Sequence, residues 1–356
     1  MLQTKIHKHT LIFKQASGTS RGVLHTKNSW IIELFDEANP SVIGKGEASI
    51  IENLSPDWNH DYENQLAEIC QHVNEHVATN FSKIHNFPSI RFALESALLD
   101  LKNGGKEIYF PSEFTAGKKS ISINGLIWMG SKEFMEQQIR EKIEEGYSCI
   151  KLKIGTSASL SDRSSGSPIT FEDELDLLKS IRAKFSRSEM ELRVDANGAF
   201  SLEDAPKKLD QLSKFDLHSI EQPIKQGQFD AMKKLCTSTP LAIALDEELI
   251  GVNLLDRKSE LLTFIQPQYI ILKPSLVGGF QSSDEWISIA VKNKIDWWIT
   301  SALESNVGLN AIAQYTFTKN NPMQQGLGTG QLYTNNFPSG LRIERGRLSY
   351  HPDSNQ

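Results

Sequence analysis

From Ser120 to Gly328 short apolar runs alternate with amphipathic helical stretches, and this alternation constrains the fold more than any other feature. Strands are predicted at Ser120–Ile127, Ser148–Ile154, Glu191–Ala196, Leu217–Gln222, Leu241–Leu245, Tyr269–Lys273, Asp296–Ser301 and Gln324–Gly328. Helices are predicted between them, including Ser131–Glu145, Phe171–Phe185, Leu202–Lys214, Phe280–Lys294 and Val307–Thr318. So many strands joined by crossovers fit a parallel α/β barrel, whereas a doubly wound sheet rarely needs as many.

The N-terminal part reads differently. Ile6–Lys14, Gly22–Phe35 and Gly44–Ile50 look extended, and Asp61–Val77 and Ser89–Asn103 look helical. At 356 residues the chain is longer than one simple core usually organises. The division expected is an α+β unit over residues 1–115 and a barrel over 116–340. No full-length helix is evident after the eighth strand, and residues 341–356, with a strand at Leu341–Tyr350, are expected to return to the N-terminal unit.

In a parallel barrel the C-terminal ends of the strands line one mouth. Those positions hold Lys151 and Lys153, then Asp195 and Asn197, then Glu221, then Asp246 and Glu247, then Lys273. Asp195, Glu221 and Asp246 follow one another by 26 and 25 residues, and Lys273 follows 27 later, each interval about one βα unit. Any one of these acids alone reads as a solvated charge. Three in register at neighbouring strand ends make a hard oxygen site suited to Mg2+.

Side chains alternate across a strand, so Lys151 and Lys153 share the inward face while Ile150, Leu152 and Ile154 face the helices. Repulsion between two such ammoniums is expected to lower the pKa of at least one, which suits a general base. Lys273, across the mouth, either stabilises negative charge developing on a substrate or pairs structurally with Asp246 or Glu247. Arg193 points inward two residues before Asp195, to meet either a substrate carboxylate or a structural partner.

Composition excludes some function classes. The net charge of −6 argues against a nucleic-acid surface, and no segment has the apolar length of a membrane span. The three cysteines form no CxxC pair, and the N-terminus lacks a signal-peptide pattern, so a cytoplasmic protein is expected. The nine histidines show no ligand spacing, and His218 reads as structural. A small-molecule carboxylate is the expected partner, with neither nucleic acid nor membrane. The segment Thr156–Thr170, rich in Ser, Thr and Gly, is either a surface insertion or a lid over the mouth.

The motifs Lys151-Leu152-Lys153, Asp195-Ala196-Asn197, Glu221-Gln222-Pro223, Leu245-Asp246-Glu247 and Ile271-Leu272-Lys273-Pro274 resemble the enolase superfamily, in its muconate-lactonising branch. The resemblance spans essentially the whole chain. It implies a modified TIM barrel, (β/α)7β, with an N-terminal α+β capping domain. It also implies that Asp195, Glu221 and Asp246 hold Mg2+, with Mn2+ able to substitute. Lys153 would then take the α-proton, Lys273 stabilise the enediolate, and Lys151 tune Lys153.

Further motifs narrow the resemblance to members that dehydrate 2-succinyl-6-hydroxy-2,4-cyclohexadiene-1-carboxylate. They are Ile123–Gly130, Ser301–Asn306, Gly326–Gly330 and the loop Thr19-Ser20-Arg21-Gly22. Arg21, Ser301, Gly328 and Thr329 are candidate substrate contacts, each equally readable as an ordinary loop or strand-end residue. Asn197 and Glu247 are expected to orient the ligands and lysines. Racemisation of an N-acylamino acid or epimerisation of a dipeptide uses the same lysines and is the first rival. A non-catalytic relative is the second, although none of the lysines or acids is missing.

Overall fold

The structure is a computed structural model that describes residues 1–19, 22–155 and 169–352. Three antiparallel strands open the chain: β1 (Leu2–Thr19), β2 (Gly22–Asp36) and β3 (Asn39–Ser49), in the order β1-β2-β3. Helices α1 (Tyr62–Gln71), α2 (Val73–Ala78) and α3 (Pro88–Lys102) cover one face. Trp30, Ile32 and Leu34 recur with the two-residue period of a strand and bury against Leu66, Ile90 and Ala97. Pro88 opens α3, where a missing amide costs nothing. The helix lies almost in backbone contact with β3. A Cβ on Gly44 would come within 2.1 Å of Ala97 O, and one on Gly46 within 1.9 Å of Ala93 O.

The opposite face of β3 meets the rest of the molecule through Glu47, which is fully buried. Its carboxylate accepts hydrogen bonds from Ser29 Oγ at 2.7 Å, from Ser305 N and Gly308 N at 2.9 Å each, and from Ser305 Oγ. Nearby, buried Lys27 donates to Ser49, and Glu304 accepts from Ser275 Oγ and from Ala302 N.

The second part is built on strands β4 (Ser120–Ser122), β5 (Gly125–Ile127), β6 (Cys149–Lys153), β7 (Glu191–Asp195), β8 (Ser219–Glu221), β9 (Ile243–Leu245), β10 (Tyr269–Leu272) and β11 (Asp296–Ile299). Between them run α4 (Lys132–Glu144), α5 (Phe171–Arg182), α6 (Ala205–Ser213), α7 (Phe229–Ser238), α8 (Leu255–Ile265), α9 (Pro274–Val277) and α10 (Gly279–Lys292). Helix α11 (Asn306–Thr318) and the hairpin β12 (Leu341–Glu344) and β13 (Arg347–Tyr350) follow. Strands β5 to β11 form one parallel sheet in chain order, so the fold is α/β. Thr170 starts α5 with a capping box to Asp173, as a Thr three residues before an acid favours.

Outward residues such as Ile150, Leu152, Val194, Ile220 and Leu272 bury against the helices, each contributing about 1.5–3 kcal/mol. Inside the sheet, Ala244, Ile271 and Trp298 pack as a separate cluster below the strand ends.

Several sequence expectations shift. The strand predicted over Ser120–Ile127 divides at Ile123, with β4 leaving the parallel sheet to pair with β13. The hairpin at 341–350 therefore pairs beside β4, where the sequence pointed to a return to the N-terminal unit. Helices α7 and α8 had not been singled out. The eighth strand is reduced to two bridges, Gln325 to Ile123 and Gly326 to Thr300, which link both edges of the seven-stranded sheet. A side chain is excluded there, since a Cβ on Gly326 would lie 2.2 Å from Thr300 Oγ1. Residues 156–168 of the candidate lid lie outside the described residues. Among the described residues no helix is long and apolar enough to cross a membrane.

Candidate active site

The strand register brings the sequence-selected residues to one end of the sheet. Lys151 pairs with Arg193, Lys153 with Asp195, and Asp195 with Glu221, so these side chains share the inner face. Asp246 follows β9 and Lys273 follows β10. These strand ends surround a cavity of about 530 Å³, to whose lining Asp246, held by Lys273, does not itself contribute. Lys151, Lys153, Asp195, Asn197, Glu221, Glu247, Lys273, Ser301, Gly328 and Thr329 all line it.

Lys151 Nζ lies 2.7 Å from Glu221 Oε2 and 3.3 Å from Asp195 Oδ2. Lys153 Nζ is 3.8 Å from Asp195 Oδ2 and donates to Asn197 Oδ1 at 3.0 Å. Asn197 in turn donates to Glu247 Oε1 at 3.0 Å, and its backbone N–H to Asp195 Oδ1 at 3.0 Å. Lys273 donates to Asp246. Gln222 ties the fourth and fifth strand ends together, accepting from Asp246 N at 3.2 Å and donating to Glu248 at 2.8 Å. Both Asn197 and Gln222 have positive φ, which turns the chain sharply at these ends.

The electrostatics correct one expectation. Burial favours a neutral amine at Lys151, but the carboxylates of Glu221 and Asp195 outweigh it and raise its pKa. Asp246, Glu221 and Glu247 likewise overcome burial at Lys273, raising it. Mutual repulsion of the lysine pair, expected to lower a pKa, does not prevail at Lys151. Asp195 is lowered: burial opposes this, but Lys151, Lys153 and Lys273 prevail. Glu221 must share Lys151 with Asp195 and is left under-compensated. Burial, then the neighbouring Asp195, push it up to about 8 against the pull of Lys151. Asp246 is raised chiefly by burial.

Among the described residues no three His, Cys, Asp or Glu side chains converge tightly enough to enclose an ion, and Lys151 bridges two of the acids instead. The donor set nevertheless fits a divalent cation. Glu221 Oε1 and Glu247 Oε2 are buried with no hydrogen-bond partner, and four buried carboxylates face three lysines.

Not every candidate joins the site. Arg193 is buried but points below the cavity, where it pairs with Glu191 at 2.6 Å, donates to Gln324 O at 3.0 Å and stacks on Trp298. Its inward direction is as expected, and its partner is structural. Arg21 lies outside the described residues. Ser301 Oγ and Thr329 Oγ1 are 2.6 Å apart on the cavity wall. Asn124 and Trp128 lie in the motif Ile123–Gly130 but were given no site role from sequence, and Gln138 and the contribution of Ile51 and Leu54 from beyond β3 were missed. Trp128 follows the end of β5, so the strand-end rule used for the lysines could have found it.

Comparison with known proteins agrees with this geometry. Residues 134–353 match the family described as enolase C-terminal domain-like. The chain belongs to the enolase superfamily. Within that class it belongs with the o-succinylbenzoate synthases: it is 46% identical to the o-succinylbenzoate synthase of Desulfotalea psychrophila over 98% of each chain. The crystal structure of MenC from the same organism superposes with a TM-score of 0.83 at 43% identity, covering 98% of this chain and 99% of that one. A dipeptide epimerase from Enterococcus faecalis shares the fold, with a TM-score of 0.81 at 19% identity over 98% of this chain and 96% of that one.

Proposed function

We propose that the chain dehydrates 2-succinyl-6-hydroxy-2,4-cyclohexadiene-1-carboxylate to 2-succinylbenzoate, as a carbon–oxygen lyase. The observation that carries this reading is the pair of inward amines, Lys153 and Lys273, on strand ends separated by three buried acids. We read the seven parallel strands and the 325–326 segment as a (β/α)7β barrel over residues 116–340, capped by residues 1–115.

In this reading Asp195, Glu221 and Asp246 hold Mg2+, for which Mn2+ can substitute. The ion supplies positive charge to the substrate carboxylate when bound. Lys153 takes the proton from the carbon beside that carboxylate. It then returns a proton to the departing hydroxyl, which leaves as water from the same face. Lys273 offsets the negative charge of the enediolate from the far side. Lys151 lies beside both Asp195 and Glu221 and keeps those two acids apart in charge. Asn197 fixes the direction of the Lys153 amine through its 3.0 Å hydrogen bond. Ser301, Thr329 and Gly328 border the space left for the succinyl group, and Arg21 is the candidate from the N-terminal loop. Aromatisation drives the reaction, so positioning and charge stabilisation suffice.

Two opposed lysines could also pass a proton either way, as racemisation of an N-acylamino acid requires. Gln325–Gly330 carries no acid to hold a substrate ammonium, which disfavours dipeptides. Incubating the chain with the cyclohexadiene acid and Mg2+, and following the aromatic product by absorbance, tests the dehydration. Deuterium exchange into an N-succinylamino acid without any aromatic product would reassign the activity.

A further inference from the structure

Past the pair Ile127 and Leu152 the ladder between β5 and β6 ends, and the backbone of the next residue needs other partners. Gln138 of α4 supplies both. Trp128 N–H donates to Gln138 Oε1 at 2.9 Å, and Gln138 Nε2 donates to Trp128 O at 3.0 Å. One side-chain amide thus fixes a single residue at both its polar groups. The indole it holds is half-buried on the cavity wall, with its ring centroid 5.5 Å from Lys153 Nζ. Behind it stands an apolar cluster drawn from both parts of the chain, including Leu11, Ile51, Leu276 and Leu303.

We propose that Trp128 is a substrate-contacting residue that selects a flat ring, and that Gln138 is a positioning residue acting through it. The inference rests on the dehydration reading above. Lys153 has Asn197 Oδ1 on one side and the indole near it, so the amine has little room to swing away from the carbon it must deprotonate. A cyclohexadiene whose four-carbon diene is nearly flat, and which flattens fully as it becomes a benzene ring, presents a broad apolar face, and an indole face is the surface that matches it. An acyclic N-succinylamino acid offers no such face and gains less from the same wall.

The variants Trp128→Phe, Trp128→Ala and Gln138→Leu test this. With substrate and Mg2+, kcat/KM for dehydration is expected to fall about 30-fold in Trp128→Ala and to stay within about threefold in Trp128→Phe. Gln138→Leu should lower kcat about tenfold with KM little changed, because it displaces the wall without removing it. Proton exchange of an N-succinylamino acid should lose less than dehydration does in Trp128→Ala.

A second arm needs neither substrate nor metal. Lys153 in the folded chain is acylated with an amine reagent at one pH and read by peptide mass spectrometry that separates it from Lys151. Its labelling rate should rise about threefold in Trp128→Ala and Gln138→Leu and remain unchanged in Trp128→Phe. Wild-type kcat/KM in Trp128→Ala, or unchanged labelling in both Trp128→Ala and Gln138→Leu, overturns the proposal. If Trp128→Ala does not fold, Gln138→Leu decides on its own, by its kcat and its labelling. A wild-type chain that makes no aromatic product counts against the dehydration reading alone, since the labelling arm still reports on the wall.

Discussion

At the strand ends Glu221 shares Lys151 with Asp195 and keeps one oxygen without a donor. Between the N-terminal sheet and α11, Glu47 is buried as deeply, yet its two oxygens accept four hydrogen bonds. Both acids sit near buried lysines. Burial lowers the pKa of Lys27 despite Glu47 and Glu304, whereas at Lys151 the acids prevail and raise it. A buried carboxylate with every lone pair matched holds two parts of a molecule together. One left short of donors marks a place prepared for something else, here a cation and a substrate.

The contrast can be broken by experiment. The largest effect is expected from Lys153→Ala, which should cut turnover about 10³–10⁴-fold while circular dichroism and melting temperature stay near wild type. Substantial residual dehydration would remove this lysine from the role of base. Glu47→Ala should do the reverse, costing about 3–5 kcal/mol in a urea titration because several buried donors lose their acceptor and buried Lys27 loses a compensating charge. Turnover per folded molecule should change far less.

The third expectation concerns pH in protein stripped of metal. Glu221 has a folded pKa of about 8 against an ordinary value of 4.5. Between those values the folded state keeps a proton that the unfolded state has released, so stability should fall as pH rises from about 4.5 to about 8. Mg2+ should then raise the melting temperature more at pH 8 than at pH 5, and equal shifts at both would contradict the assignment. The smallest effect is expected from Ser29→Ala, which removes one of Glu47's four donors and should cost about 1 kcal/mol, read by chemical denaturation.

The mouth was legible because the βα unit repeats at a nearly constant length from Asp195 through Glu221 and Asp246 to Lys273, while Lys153 was found by its place at a strand end. Strand parity also gave the inward direction of Arg193. The same parity places Glu191 beside it on β7, but it could not give Trp298, which stacks on the guanidinium from β11. The sign of the shift at Lys151 was hidden for a related reason: spacing along β6 reveals the neighbouring lysine but not the two acids across the sheet. The eighth strand was read too long, since apolar pattern does not reveal that Gly326 can form only a close bridge to Thr300. Glu47 and Gln138 carried no signal in the sequence, because each finds its partners through tertiary contact.

Strand β3 has glycines toward α3 and Glu47 toward α11, so a slip by one residue would drive the carboxylate into a helix backbone and turn a bare glycine toward Ser305. Ser305 follows Glu47 by 258 residues. A chain leaving the ribosome N-terminus first can therefore pack its opening sheet on α1–α3 early, but it can complete the Glu47 face only once Ser305 and Gly308 have been made.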